Sequence, residues 1–126
     1  MHRSRIKGIV IDCDTDDIQA AAGFWAEALG RPIDRDHPGT SGNYVMLETP
    51  ADELSVQIQR VDHEGRVHID IETDDILAEV TRLEKLGATV DKRWEHWVVM
   101  RAPTGQRFCV VRLQRQGFPK NATTWS

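Results

Sequence analysis

This sequence contains little of what several protein classes require. Its two cysteines, Cys13 and Cys109, are far apart and each lies in an apolar run. That placement is typical of reduced, buried thiols and not of a secreted disulfide framework. No apolar stretch approaches membrane-spanning length, and the basic start of the chain leads into a strand-like run instead of an apolar signal core. We therefore expect a cytoplasmic protein with no membrane partner.

Clustered positive charge is also missing. The chain has 16 Lys and Arg against 20 Asp and Glu, a formal net charge of −4, and its basic residues are dispersed. Nucleic-acid binding depends on clustered basic side chains that neutralise phosphates, so this pattern argues against a nucleic-acid partner. The length of 126 residues, with 40% hydrophobic and 29% charged residues, is typical of one globular domain.

The chain does contain an internal repeat. The segment 9–18, IVIDCDTDDI, returns almost letter for letter as VHIDIETDDI at 67–76. A repeat of this kind marks a structural unit that buries its apolar face together with its copy. The sequence therefore predicts two copies of one unit, and differences between the copies indicate where function lies.

Each copy begins as a β-branched strand, continues through Thr-Asp-Asp, which supplies helix-capping side chains, and enters a helical period that ends at Gly30 or Gly87. Three further strand candidates follow each helix. The predicted strands are Lys7–Asp14, Pro32–Asp36, Tyr44–Glu48 and Leu54–Arg60, then Arg66–Glu72, Thr89–Arg93, Trp97–Arg101 and Arg107–Leu113. Both units read β-α-β-β-β, with module 1 at about 5–62 and module 2 at about 65–113. Residues 114–126 are predicted to form a surface tail pinned by Phe118 or Trp125.

Two such units, whose helices end in Leu29-Gly30 and Leu86-Gly87, resemble the vicinal oxygen chelate superfamily, the glyoxalase and bleomycin-resistance fold. The segments 66–89, 97–100 and 103–111 are similar to its glyoxalase-like domain subgroup. The resemblance implies an α+β fold in which two modules, related by pseudo-two-fold symmetry, form a cupped eight-stranded mixed sheet with the helices outside. It also implies a ligand cavity on the concave face and a homodimer.

Enzymes of that superfamily hold a divalent metal with residues from the first and last strand of each unit. Carried onto this sequence, those positions are Val10, His68, Gln57 or Gln59, and Cys109. Valine cannot coordinate a metal and glutamine is a weak, neutral ligand. We therefore expect neither a metal nor another cofactor.

Alternate residues share one face of a strand, so Asp12 lies on the face of Val10 and Asp70 on the face of His68. His68 and Asp70 are the candidate catalytic acid and base. The expected ligand-binding residues are Asp12, Gln57, Gln59, Arg66, Trp97, Arg107 and Cys109. Buried carboxylates at Asp12 and Asp70 must face solvent, pair with Arg66 or Arg107, or meet a cationic ligand. The structural alternatives stay open: a core histidine at position 68, a packed thiol at 109, and a Trp97 that only packs.

Three functions remain open. The favoured one is binding of a small molecule, aromatic or cationic, without a metal, in an antibiotic-binding or biosynthesis-associated protein. The second is an enzyme of lyase, isomerase or cyclase type that uses His68 or Asp70 as acid or base. The third is a degenerate divalent-metal enzyme, a lyase or dioxygenase, that uses His68, Cys109 and a glutamine with help from a partner chain.

Overall fold

The computed structural model describes residues 1–126, which form two helices and an eight-stranded mixed sheet. This confirms the α+β fold class. The elements in chain order are β1 His2–Asp14, α1 Ile18–Leu29, β2 Tyr44–Met46, β3 Ser55–Val61, β4 Arg66–Thr73, α2 Ile76–Lys85, β5 Thr89–Arg93, β6 Trp97–Arg101, β7 Arg107–Arg112 and β8 Thr123–Trp125. Neither helix is long and apolar enough to cross a membrane.

The chain divides into two compact units. The N-terminal unit is Gly8–Val67, and the C-terminal unit combines Met1–Lys7 with His68–Ser126. Strand β1 therefore supplies its first residues to the C-terminal unit and the rest to the N-terminal unit.

In the N-terminal unit, β3 lies between β1 and β2. It pairs in parallel with β1 and antiparallel with β2, in a register that sets Gln57 beside Val10 and Gln59 beside Asp12. A core of Ile11, Ala22, Val45, Leu47, Val56 and Ile58 forms where α1 covers the strands. Because side chains alternate along a strand, Gln57 and Gln59 lie on the face turned away from this core.

In the C-terminal unit, β7 pairs in parallel with β4 and antiparallel with β6, which pairs with β5. The core under α2 contains Val80, Leu83, Ala88, Val98, Met100 and Val110, and Ile71 of β4 packs against it. His68, Asp70 and Glu72 alternate with Ile71 and so lie on the opposite face of β4.

The repeated Thr-Asp-Asp segment builds both helix starts, as its composition predicts. Asp17 caps α1 by accepting hydrogen bonds from the amides of Gln19 and Ala20, both at 3.1 Å. Asp75 caps α2 in the same way through the amide of Ala78 at 3.0 Å. At the other end of α1, Gly30 adopts φ 68°, a left-handed conformation that glycine accepts at little cost.

Three predicted elements differ from the structure. Strand β1 begins at His2 and not at Lys7, since its first residues pair with β8. Pro32–Asp36 is not a strand but makes one isolated bridge, from Ile33 to Leu47, since Pro32 has no amide donor and a turn follows at once. The predicted tail contains β8, which pairs antiparallel with β1 through His2 and Trp125. Trp125 also donates its indole N–H to Ser4 Oγ at 2.8 Å, so it anchors this segment as expected.

Candidate functional site

Four chemically active side chains meet in the C-terminal unit. His68 and Asp70 come from β4, Cys109 from β7 and Lys7 from β1. The ligand atoms of His68, Asp70 and Cys109 all lie within 4.8 Å of one another. Lys7 Nζ lies 3.8 Å from Asp70 Oδ2, and His68 Nε2 lies 3.6 Å from Asp70 Oδ1. We call these four residues the acid-base cluster.

Strand register explains why the cluster forms. Asp70 lies directly beside Cys109 in the parallel β4 and β7 pair, and His68 precedes Asp70 by two residues on the same face. Lys7 belongs to the part of β1 that is folded into this unit. The structure therefore brings together three of the residues named from the sequence and adds Lys7, which was missed.

Burial gives the cluster its electrostatic character. The side chains of Lys7, Asp70 and His68 are 4%, 8% and 16% exposed. An unpaired charge at such depth is costly, so the Lys7 ammonium and the Asp70 carboxylate compensate each other. The His68 imidazole, with Nε2 3.6 Å from Oδ1 of the same carboxylate, gives the cluster a ring nitrogen on which a proton can be exchanged with a bound molecule.

A second buried pair lies two residues further along β4. Arg5 donates to Glu72 Oε2 at 2.6 Å, and Glu72 Oε1 accepts the amides of Gln114 and Arg115, both at 2.8 Å. Arg5 also donates to the carbonyls of Arg115, Gln116 and Lys120. Burial and the adjacent Arg5 lower the pKa of the Arg115 guanidinium, against the raising effect of Glu72. Glu72 thus binds the C-terminal segment to the sheet.

The other predicted acid, Asp12, lies in the N-terminal unit. It is buried, and Arg66 Nε lies 4.0 Å from its Oδ2, which is the expected pairing with Arg66. Arg66 also donates to Nε2 of His63, at 3.1 Å. Burial raises the pKa of the neighbouring Cys13 thiol; a hydrogen bond with Trp25 opposes this and Asp12 adds to it.

Both predicted glutamines belong to this N-terminal unit. Gln59 donates to the hydroxyl of Tyr44 at 3.1 Å and lines a small polar cleft of about 300 Å³. The other residues of that cleft are Asn43, Arg60, Val61, Asp62 and His63. Gln57 lies two residues before Gln59 on the same face of β3, and its neighbour on β1 is Val10.

Trp97 and Arg107, also predicted as ligand-binding residues, lie in the C-terminal unit. Trp97 stacks on Trp94 with ring centroids 5.3 Å apart, and the two rings are 36% and 46% exposed. Arg107 pairs with Asp91 at 3.1 Å. Arg66 lies beside Asp12, as one of the expected pairings has it. The cation beside Asp70 is Lys7, and neither Arg66 nor Arg107 takes that place.

The donor set does not fit the divalent metal that the superfamily implies. An imidazole, a thiol and a carboxylate resemble a zinc donor set. Yet the ammonium of Lys7 already lies against the carboxylate, where it would repel a dication. The equivalent first-strand position in the other copy, Val10, has no ligand atom. The chemistry of this site therefore rests on its own side chains.

The fold and the paired strand-helix units define a member of the vicinal oxygen chelate superfamily. The model of the family described as "Glyoxalase-like domain" matches residues 8–111. The chain belongs to this family, which confirms the resemblance read from the sequence. No curated protein matches the chain.

Solved structures with the same fold include enzymes of different activities. The Mn(II)-bound glyoxalase from Novosphingobium aromaticivorans matches with a TM-score of 0.61 and 21% identity over 89% of this chain and 40% of its own, so this chain spans less than half of it. Methylmalonyl-CoA epimerase from Mycobacterium tuberculosis matches with a TM-score of 0.62 and 12% identity over 88% and 89% of the two chains.

A third similar structure is a glyoxalase/bleomycin resistance protein/dioxygenase superfamily member from Vibrio splendidus 12B01. It has a TM-score of 0.53 and 16% identity over 87% of this chain and 99% of its own. At such identities these likenesses establish the fold alone, and the activity has to be argued from the site.

Proposed function

We propose that this protein binds a small molecule on the sheet face that carries His68, and that the acid-base cluster transfers a proton to or from it without a metal. One observation carries the proposal: the His68 imidazole lies 3.6 Å from a buried carboxylate whose charge a buried ammonium balances. A core histidine needs only a hydrogen-bond partner. A histidine beside a buried carboxylate that is itself charge-balanced is an arrangement that supports proton transfer.

The roles follow from the positions of the atoms. The neutral imidazole of His68 accepts the proton, since it is the most exposed of the three titratable side chains. Asp70 orients the ring and stabilises the imidazolium that forms. Lys7 balances the charge of the Asp70 carboxylate, 3.8 Å away. The reaction class is therefore isomerisation or elimination at a C–H bond made acidic by an adjacent carbonyl group.

A named probe makes the proposal testable. Because one structural neighbour is a methylmalonyl-CoA epimerase, we choose methylmalonyl-CoA in deuterated buffer containing EDTA, and follow exchange of its α-proton by NMR. The wild-type protein is expected to catalyse exchange. His68→Gln is expected to lower the exchange rate by about 100-fold or more.

His96→Gln provides the matched control, because His96 is an exposed histidine outside the cluster. Its exchange rate should equal that of the wild type. Equal rates for His68→Gln and the wild type would remove His68 from the proposed role. Exchange that is seen without EDTA but not in the EDTA buffer would contradict proton transfer without a metal.

Binding without turnover is the second candidate. The stacked and exposed pair of Trp94 and Trp97, with Lys92 Nζ 4.2 Å from the Trp94 ring centroid, offers a flat apolar surface for an aromatic ligand. Quenching of tryptophan fluorescence by an aromatic anion such as anilinonaphthalene sulfonate, which the Lys92 ammonium attracts, supports this candidate if it is lost in Trp94→Ala and kept in Trp25→Phe. A protein that binds the anion yet exchanges no substrate protons would favour this candidate over the enzyme.

We also propose that the protein acts in the cytoplasm as a homodimer. Both cysteines are free thiols, in keeping with a reducing compartment. Val67 and Ile69 share one face of β4 and are 58% and 45% exposed, which leaves apolar area that a second copy could cover. Sedimentation analysis should find a dimer for the wild type and a monomer for Ile69→Lys.

A further inference from the structure

We propose that Lys7 takes the place of a divalent cation in the acid-base cluster, and that removing its charge converts His68, Asp70 and Cys109 into a metal-binding site. The inference deepens the proposed function, on which it rests, by explaining how the cluster stays free of metal. Neither the family match nor the sequence pattern gives Lys7 this role of excluding a metal ion.

The geometry supplies the first argument. Three side chains of different chemistry present ligand atoms within 4.8 Å of one another, close enough for one ion to contact all three. They come from two adjacent strands whose register is fixed by backbone pairing, so the atoms are held near one another by the fold. Three protein ligands with an open position are the usual requirement of a catalytic zinc site.

Charge supplies the second argument. Lys7 Nζ lies 3.8 Å from Asp70 Oδ2, and its side chain is only 4% exposed. An ion held by Asp70 would therefore face a poorly hydrated ammonium a few ångströms away. Even in a protein interior that partly screens charges, repulsion between the ammonium and a divalent ion lowers the affinity for the metal by at least about 100-fold.

Two other carboxylates of the C-terminal unit are already held by arginines. Glu72, the next carboxylate on this face of β4, is held by Arg5 at 2.6 Å. Asp91 is paired with Arg107 at 3.1 Å. The neighbour of Cys109 on β6 is Val99, which has no charge. Lys7 is thus the cation that sets the charge of the cluster.

Titration with Co²⁺ tests the proposal, because a thiolate bound to Co²⁺ gives a charge-transfer absorption that reports Cys109 directly. The wild type should show no such absorption at micromolar Co²⁺. Lys7→Met should show it, with an affinity at least about 100-fold higher than that of the wild type. Zn²⁺ should raise the melting temperature of Lys7→Met and leave that of the wild type unchanged.

Three further variants make the result specific. Lys7→Arg keeps the positive charge and should bind no Co²⁺. Lys7→Met combined with Cys109→Ser should lose the absorption, whereas Lys7→Met combined with Cys13→Ser should keep it. If Lys7→Met does not fold without metal, Lys7→Gln is the second test, since its amide can still donate to Asp70.

The proposal is overturned if the wild type binds Co²⁺ through a thiolate as tightly as Lys7→Met does, or if neither protein binds it. These outcomes are separate from those of the proposed function, because proton exchange is measured in EDTA and depends on His68. A wild type that binds Co²⁺ but still exchanges protons in EDTA would sink only the role of Lys7.

Discussion

Among single residues, those that carry buried charges have the largest expected effects. Arg5 and Glu72 are 3% and 0% exposed, and the pair supports the C-terminal segment through several backbone hydrogen bonds. Glu72→Ala would leave a buried guanidinium without its carboxylate, so we expect a loss of about 3–5 kcal/mol in the free energy of unfolding. Urea denaturation followed by circular dichroism measures it.

Glu53→Ala is the matched control for this prediction. Glu53 also pairs with an arginine, Arg31, at 2.7 Å, but its side chain is 56% exposed. An exposed pair of this kind contributes less than about 1 kcal/mol. Equal losses in the two variants would contradict the structural role given to the buried pair.

Glu79 gives a prediction about pH. Burial raises the pKa of this carboxyl, but hydrogen bonds from Arg82, His2 and Ser4 together outweigh it, so the pKa lies below the ordinary value of 4.5. A carboxyl group whose pKa is lower in the folded than in the unfolded protein stabilises the fold at pH values above its unfolded pKa. This stabilisation is lost as the pH falls through the pKa of the folded protein. Stability should therefore drop with acidification below about pH 4.5.

Glu79→Gln should flatten that acid dependence, as measured by melting temperatures between about pH 5 and pH 3. Glu84→Gln, an exposed acid on the same helix, should leave the slope unchanged. A slope in Glu79→Gln as steep as that of the wild type would show that other carboxyl groups cause the acid sensitivity.

Sequence alone identifies part of the candidate site and misses its decisive member. Parity along β4 puts His68 and Asp70 on one face, and the structure has them there with Cys109 beside Asp70. Lys7 was missed because its contact with Asp70 depends on which part of β1 joins which unit. That is a property of long-range packing, and no local period in the sequence encodes it.

Among the elements, both helices and most strands were predictable because their signals are local. Capping acids, helical spacing and a closing glycine define α1 within its observed bounds, Ile18–Leu29. The segment after it was not predictable in the same way. Pro32–Asp36, predicted as a strand, makes one bridge in the structure, and β8 lies in a segment without a period.

The cap of α1 gives a prediction at this scale. Asp17 accepts two amide hydrogen bonds, so Asp17→Ala should lower the free energy of unfolding by about 1 kcal/mol. Its neighbour Asp16 is fully exposed and caps nothing, so Asp16→Ala should change stability by less than about 0.5 kcal/mol. Urea denaturation of both variants measures the difference, and equal values would contradict the capping role.

Across the whole molecule, the two copies of the repeat have diverged in chemistry while keeping their local structure. Both begin a helix with an aspartate cap, yet one copy has Val10 where the other has His68. The acid-base cluster therefore forms in the C-terminal unit. The acid of the other copy, Asp12, is paired with Arg66 instead.

Unfolding should be a single event. Strand β1 belongs to both units, so neither keeps its full set of strands once β1 detaches. Trp25 reports the N-terminal unit, and Trp94, Trp97 and Trp125 report the C-terminal unit. In a variant that keeps Trp25 alone, Trp25 fluorescence and far-UV circular dichroism, which also reports the C-terminal unit, should give the same urea midpoint. Two separate midpoints would show that the units unfold independently.

Gly8 has a further consequence for the first residues of the chain. An added Cβ at this position of β1 would lie 2.1 Å from the carbonyl oxygen of Ser55, so no larger side chain fits there. The residues of β1 before Gly8 include the arginine that holds the C-terminal segment and the lysine beside Asp70. A chain shortened to begin at Gly8 would therefore lose the anchor of its C-terminal end and the cation of its acid-base cluster together.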